Sequence, residues 1–224
     1  MLFNILRGGY SGIQILAGVF ASVFVVFCTL PIHEYAHAWV ATKLGDPTPR
    51  LQGRLSLNPM RHIDPIGALM IVLLGFGYAK PVSINARNFK NPKTGMALTA
   101  IAGPCANLLM ALLFLLCKNI VMLISTTNVL AVALLYFFVF AASINVGLAV
   151  FNLLPIPPLD GSRILQLLIP QKYYFKFMQY ERYIILIVFA LLFFNVLTKP
   201  LGWLQSFVYN ALDFIVSYPF RLGR

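Results

Sequence analysis

The stretch TLPIHEYAHAWVATKLG, residues 29–45, decides how this chain is read. It closes an apolar run that begins at residue 10, yet it carries two histidines and a glutamate. Each ionisable side chain placed in hydrocarbon costs ~2.5–3.5 kcal/mol on insertion scales, so three of them within five residues need a chemical reason.

The rest of the chain says which solvent they meet. Of 224 residues, 60% are hydrophobic and 10% charged, where a soluble domain is roughly a quarter charged. The composition predicts a polytopic membrane protein, read as one membrane-embedded unit over 1–224. The net charge of +11 fits loop lysines and arginines facing anionic lipid, and no separate basic domain points to nucleic acid. Cys28, Cys105 and Cys117 fall in apolar runs without metal-binding or redox spacing and read as buried free thiols. Arg7 followed by an apolar stretch resembles a signal peptide, but the run continues into HEYAH without a small-residue cleavage site, so a retained segment is expected.

A spanning helix needs about 20 apolar residues. The sequence predicts spans at 10–42 (with Pro31 a kink near the inner end), 96–118 and 129–153, and a weaker pair at 183–198 and 200–217. The apolar run at 65–78 is short and suits a re-entrant segment. Residues 79–95 alternate like a short strand or hairpin. The expected fold is therefore all-α, with about five transmembrane helices, one re-entrant segment and a short β-like loop. Taking 43–64, 79–95, 154–182 and the C-terminal tail as inside places fourteen of the seventeen basic residues there, leaving Arg7, Lys118 and Lys199 outside. That bias orients the HEYAH end to the cytoplasm, returns 65–78 to the side it left, and sends the C-terminal pair out and back. Short basic loops suit a prokaryotic plasma membrane.

HEYAH is H-E-x-x-H. Four residues apart on a helix, His33 and His37 share one face and can offer both imidazoles to one ion. Zinc takes neutral imidazole at about 2.0–2.1 Å. Glu34, about 100° round from His33, can reach a water at the ion without ligating it and serve as general base. The histidines lie roughly 9–15 Å in from Lys43, where ionisable groups are scarce, which favours metal binding. A catalytic zinc usually has three protein ligands. Asp160, in FNLLPIPPLDGSRILQ (151–166), returns to the same membrane edge after a proline-broken turn. Two roles are open to it: third ligand, or N-cap of the following helix.

Taken together, HEYAH (33–37), GPCAN (103–107) and NLLPIPPLDG (152–161) resemble the site-2 protease family of intramembrane zinc metalloproteases, and the likeness extends through HIDPIG (62–67) and AKPVSINARNF (79–89). The chain looks most like short members without a PDZ domain. The resemblance implies one zinc per chain on His33, His37 and Asp160, with Glu34 as general base. It also implies that Asn107 positions substrate or stabilises the oxyanion, where a plain interhelical hydrogen bond is the alternative. Implied partners are transmembrane protein substrates within the lipid bilayer. His62 reads as an interfacial or loop-ordering histidine ahead of a fourth ligand, Asn145 and Asn152 as helix-helix or supporting residues, and Asp213 as snorkelling or paired. A metal transporter and an inactive relative are the rival classes. Glu34 argues against transport, since a non-ligating base serves hydrolysis, and the outer halves of the spans are nearly all apolar.

Overall fold

The computed structural model describes residues 9–74, 79–124, 128–170, 173, 179–194 and 196–222. The first helix, α1 (Gly12–Phe24), opens on a capping box: Ser11 Oγ accepts from the Gln14 N–H, and the Ser11 N–H donates to Gln14 Oε1 at 2.8 Å. Its continuation α2 (Leu30–Lys43) carries HEYAH. Between them Val25–Thr29 is π-helical, with the Leu30 N–H reaching back to the Val25 carbonyl. Pro31, with no N–H, cannot close the α-helical bond to the Phe27 carbonyl, so the ladder widens just before it. The irregularity expected at Pro31 thus takes the form of a wide turn.

A short helix, α3 (Pro65–Leu74), follows the loop. Two long helices then form the scaffold, α4 (Pro92–Ile124) and α5 (Val129–Asn152), the latter capped by Asn128 Oδ1 accepting from the Leu130 N–H. A single short turn α6 (Asp160–Ile164), then α7 (Glu181–Phe193) and α8 (Thr198–Leu222) complete the chain. Small buried residues of α4, namely Gly95, Ala97, Ala100, Gly103 and Ala111, let α2 and α5 approach its backbone closely. Ala21, Val25, Phe114, Leu115, Ala141, Ala142, Ile144 and Leu148 form the main apolar core.

Among the described residues, three helices are long and apolar enough to cross a membrane: Gly12–Lys43, Pro92–Ile124 and Val129–Asn152. The protein is an all-helical integral membrane protein. The five expected spans are not all met, because α7, with 13 residues, is about 20 Å long against a hydrocarbon core of about 30 Å.

Two expectations are corrected. No strand forms at 79–95 among the described residues: 79–85 is irregular, Ala86–Asn88 is a 3₁₀ turn, and α4 begins at Pro92. The segment has no neighbouring strand to pair with, and Pro81 has no donor to offer one. The second concerns the C-terminus. Gln205 meets Ser143, Asp213 meets Lys118 and Ser217 meets Asn119, so α8 runs parallel to α4 and antiparallel to α5. Helix α8 therefore starts at the HEYAH end and leaves it, opposite to the expected return. Lys199 joins the basic residues of the HEYAH end and Arg221 departs from it.

Candidate metal centre

The chain from Asn152 onward cannot stay helical, since Pro155, Pro157 and Pro158 interrupt it. Gly161 then packs against the end of α5: a Cβ there would stand 2.2 Å from the Leu153 carbonyl oxygen and 2.3 Å from that of Leu154. Only a residue without a side chain admits this approach. Leu159 is the cap residue of α6 and Asp160 its first residue, which frees the Asp160 carboxylate to turn towards α2.

Three donor atoms converge there. His33 Nε2 and His37 Nε2 lie 3.0 Å apart, and Asp160 Oδ2 stands 3.4 Å from the first and 3.2 Å from the second. A tetrahedral zinc with bonds of about 2.0–2.1 Å spaces its ligand atoms about 3.3 Å apart, so the donor set and its spacing both fit that ion. His37 Nδ1 lies 2.7 Å from the Thr99 carbonyl; donating there leaves the Nε2 lone pair free to ligate. Both histidines are buried. Gly103 of α4 closes the arrangement from behind, since a Cβ on it would fall 2.3 Å from His37 Nε2 and 2.6 Å from His33 Nε2. Gly103 is thus needed for packing against the imidazoles.

The triangle opens into a cavity of about 380 Å³ with a mostly apolar lining from α2, α3, the 79–84 segment, α5, the proline turn and α7. Glu34 lines it and has no hydrogen-bond or ion-pair partner among the described residues, so its carboxylate is available to what enters. Arg163, one turn after Asp160, also lines it. Asn107 sits one turn beyond Gly103 on α4, fully buried, with neither amide atom partnered among the described residues. It is not part of the cavity wall.

The other polar residues resolve as ordinary structure. His62 is fully buried, with Nε2 2.6 Å from the Ser56 carbonyl, and orders its loop away from the triangle. Asn145 and Asn152 donate to carbonyls one turn back in their own helix, at 2.8 and 3.0 Å. Asp213 pairs with Lys118 and accepts from Ser217 at 3.2 Å. All three cysteines are free, but they are not buried as expected: Cys28 and Cys105 are exposed on their helices and Cys117 is half-buried, because an apolar run in a membrane helix also has an outward face. Two buried charges in the loop after α2 escaped the sequence reading. Asp46 is bonded by Thr48, Asn85 and Asn88, and Arg54 by the carbonyls of Arg61, Lys80 and Pro81. Burial pushes the Asp46 pKa up, but the bonds from Thr48, Asn88 and Asn85 outweigh it and hold the carboxyl below the ordinary range. The "GDP" turn at 45–47 was the one available hint of an ordered loop.

Comparison with known proteins gives the chain's family. Residues 117–195, which include Asp160, match peptidase family M50. The chain is 41% identical to "Putative zinc metalloprotease YwhC" of Bacillus subtilis, over 81% of this chain and 83% of that protein. It is 30% identical to "Putative zinc metalloprotease Rip2" of Mycobacterium tuberculosis, over 67% of this chain and 58% of that protein. The Rip2 of Mycolicibacterium smegmatis is 28% identical over 96% and 80%. No solved structure matches the chain. The chain belongs to peptidase family M50, the site-2 protease family, and is a zinc metalloendopeptidase.

Proposed function

We propose that this protein hydrolyses a peptide bond in or beside the transmembrane segment of another membrane protein. The observation that carries this reading is the donor triangle of His33, His37 and Asp160 beside an unpartnered Glu34, facing an apolar cavity. In that reading His33, His37 and Asp160 hold one zinc. When bound, zinc supplies the Lewis acidity that polarises a peptide carbonyl and makes water a nucleophile at neutral pH. Glu34 takes one proton from the attacking water on its carboxylate and passes it to the departing amide nitrogen, so that hydroxyl and hydrogen add across the broken C–N bond. The apolar wall excludes bulk water and accepts hydrophobic side chains. Asn107 remains the candidate donor for the oxyanion. It stands one turn past Gly103, so the carbonyl must reach that depth for the amide to serve.

A helical substrate has its carbonyls bonded internally, and unwinding frees them for attack. The 79–84 segment, whose backbone at 82–84 makes no hydrogen bond among the described residues, offers that backbone to the freed peptide. In this reading residues 65–74 enter a re-entrant element, supported by the Lys80 N–H donating to the His62 carbonyl at 2.8 Å, which holds the two flanks together; residues 75–78 of the expected segment lie outside the described residues. Lys43, Arg50, Arg54, Arg61, Lys80, Arg87, Lys90 and Lys93 crowd the loops at the site's end. That charge supports a site facing the cytoplasm of a prokaryotic plasma membrane.

The test is zinc per chain in detergent-purified protein, wild type against Asp160→Ala, followed by cleavage of an apolar fluorogenic peptide with Glu34→Gln as control. About one zinc in wild type, lost in Asp160→Ala, and cleavage lost in Glu34→Gln with zinc retained, are expected. Well-folded wild type without zinc, or Glu34→Gln cleaving at the wild-type rate, would overturn the reading.

A further inference from the structure

Among the described residues, two charges outside the metal centre are buried without a counter-ion. Asp46 is fully buried. Its Oδ2 accepts from the Asn85 N–H at 2.7 Å, and its Oδ1 accepts from Asn88 Nδ2 at 2.7 Å and from the Thr48 hydroxyl at 2.6 Å. Arg54, 9% exposed, donates to the carbonyls of Lys80 at 3.3 Å and Pro81 at 3.1 Å, and to that of Arg61. A buried ion with neutral partners only is a costly way to gain stability. Its charge-assisted bonds are short and directional, so what it provides is geometry.

The geometry it fixes is that of one short run. Arg54 grips the chain at 80–81 by its carbonyls, and Asp46 grips it at 85 by its N–H and at 88 by its side chain. The three residues between, Val82, Ser83 and Ile84, are irregular and have no backbone hydrogen bond among the described residues. Val82 and Ile84 line the cavity together with Glu34 and His37. A run of backbone N–H and C=O groups left without internal partners can bond the backbone of an incoming peptide.

We infer that Asp46 and Arg54 are positioning residues that keep Val82–Ile84 taut as a docking edge for the substrate backbone. The inference rests on the peptide substrate of the proposed function. Selection then comes from whether a segment can be drawn out to expose its backbone, more than from its side chains.

The test uses the full-length, zinc-loaded Glu34→Gln protein in detergent micelles, so that binding is read apart from turnover. The probe is a fluorescein-labelled peptide of alternating alanine and valine, followed by anisotropy. Two copies of the peptide carry N-methyl groups on alternate residues in opposite registers, deleting donors while keeping the side chains. One register is expected to bind roughly tenfold more weakly than the parent and the other near it, since a lost backbone bond costs about three- to tenfold. Asp46→Ala and Arg54→Gln, each added to that background, should weaken the parent peptide about tenfold and erase the difference between registers, with zinc per chain unchanged. Arg54→Lys, which keeps one donor group in reach, should recover part of both. Where the alanine variant loses zinc, Asp46→Asn is measured in its place and should weaken binding about threefold. Equal binding of all three peptides, or wild-type binding in the zinc-retaining variants, overturns the inference. Register-dependent binding without cleavage in the Glu34 protein counts against hydrolysis and leaves the docking edge standing. Cleavage without register dependence does the reverse.

Discussion

Replacing Gly103 by alanine tests the centre while leaving all three ligand residues in place. The added Cβ would lie 2.3 Å from His37 Nε2 and 2.6 Å from His33 Nε2 and Cε1, where ordinary contact begins at 3.4 Å. One imidazole must retreat by about 1.1 Å and the other by about 0.8 Å, or α4 must withdraw from α2 by a similar amount, stretching the bond between His37 Nδ1 and Thr99. Donor sites tolerate about 0.5 Å of displacement, and losing an orienting partner of a metal histidine alone costs 10–100-fold in affinity. Gly103→Ala should therefore bind zinc at least about 10–100-fold more weakly, or ~1.4–2.8 kcal/mol. The assay is chelator competition in detergent, with far-UV circular dichroism to show retained helix. Gly147→Ala is the control, because its Cβ meets only the amide end of Gln205, at 3.2 Å, which can move aside. Wild-type zinc affinity in Gly103→Ala would refute the close packing of α4 on the histidines.

Glu34→Gln should keep zinc and helix content while cleavage falls about 10²–10⁴-fold, the range for loss of a general base, as read with the fluorogenic peptide. Asp46 has a folded pKa below its unfolded one, so its stabilising contribution is present above the ordinary carboxylate range and is lost as pH falls through the folded value. Thermal midpoints in detergent should hold near neutrality and drop below about pH 4, and Asp46→Asn should lower the neutral midpoint while flattening the acid decline. Lys118→Met leaves the Asp213 carboxylate without its cation. A loss of about 1–3 kcal/mol is expected, less than for a fully buried pair because the Asp213 side chain is 27% exposed. Adding Asp213→Leu should restore most of the thermal midpoint.

What was legible in the sequence was carried by short spacings. His33 and His37 share a face because four residues make about one turn. Asp160 was placed by prolines that forbid helix and by a glycine that admits a carbonyl, both local properties, although its choice between cap and ligand awaited the fold. The long spans were legible because hydrocarbon permits little besides apolar helix. The misses depended on partners distant in sequence. The 79–85 segment has a strand's alternation, but a strand also needs a neighbour, and Asp46 and Arg54 supply the bonds a neighbour would have made. The direction of α8 was misread because Arg221 and Arg224 were counted as inside, whereas Lys118 and Gln205 fix that helix through pairings 95 and 62 residues apart in the chain. Gly103 is visible in the sequence only as part of GPCAN, and the fold revealed that it packs against His33 and His37.

The course of α8 decides how the protein can be handled and built upon. Its last turn lies past Ser217 and Asn119, at the end of the scaffold farthest from the histidines. An affinity handle, surface tether or fluorescent fusion joined after that turn would stand at the far end of α4 and α8, away from the cavity that Glu34 lines.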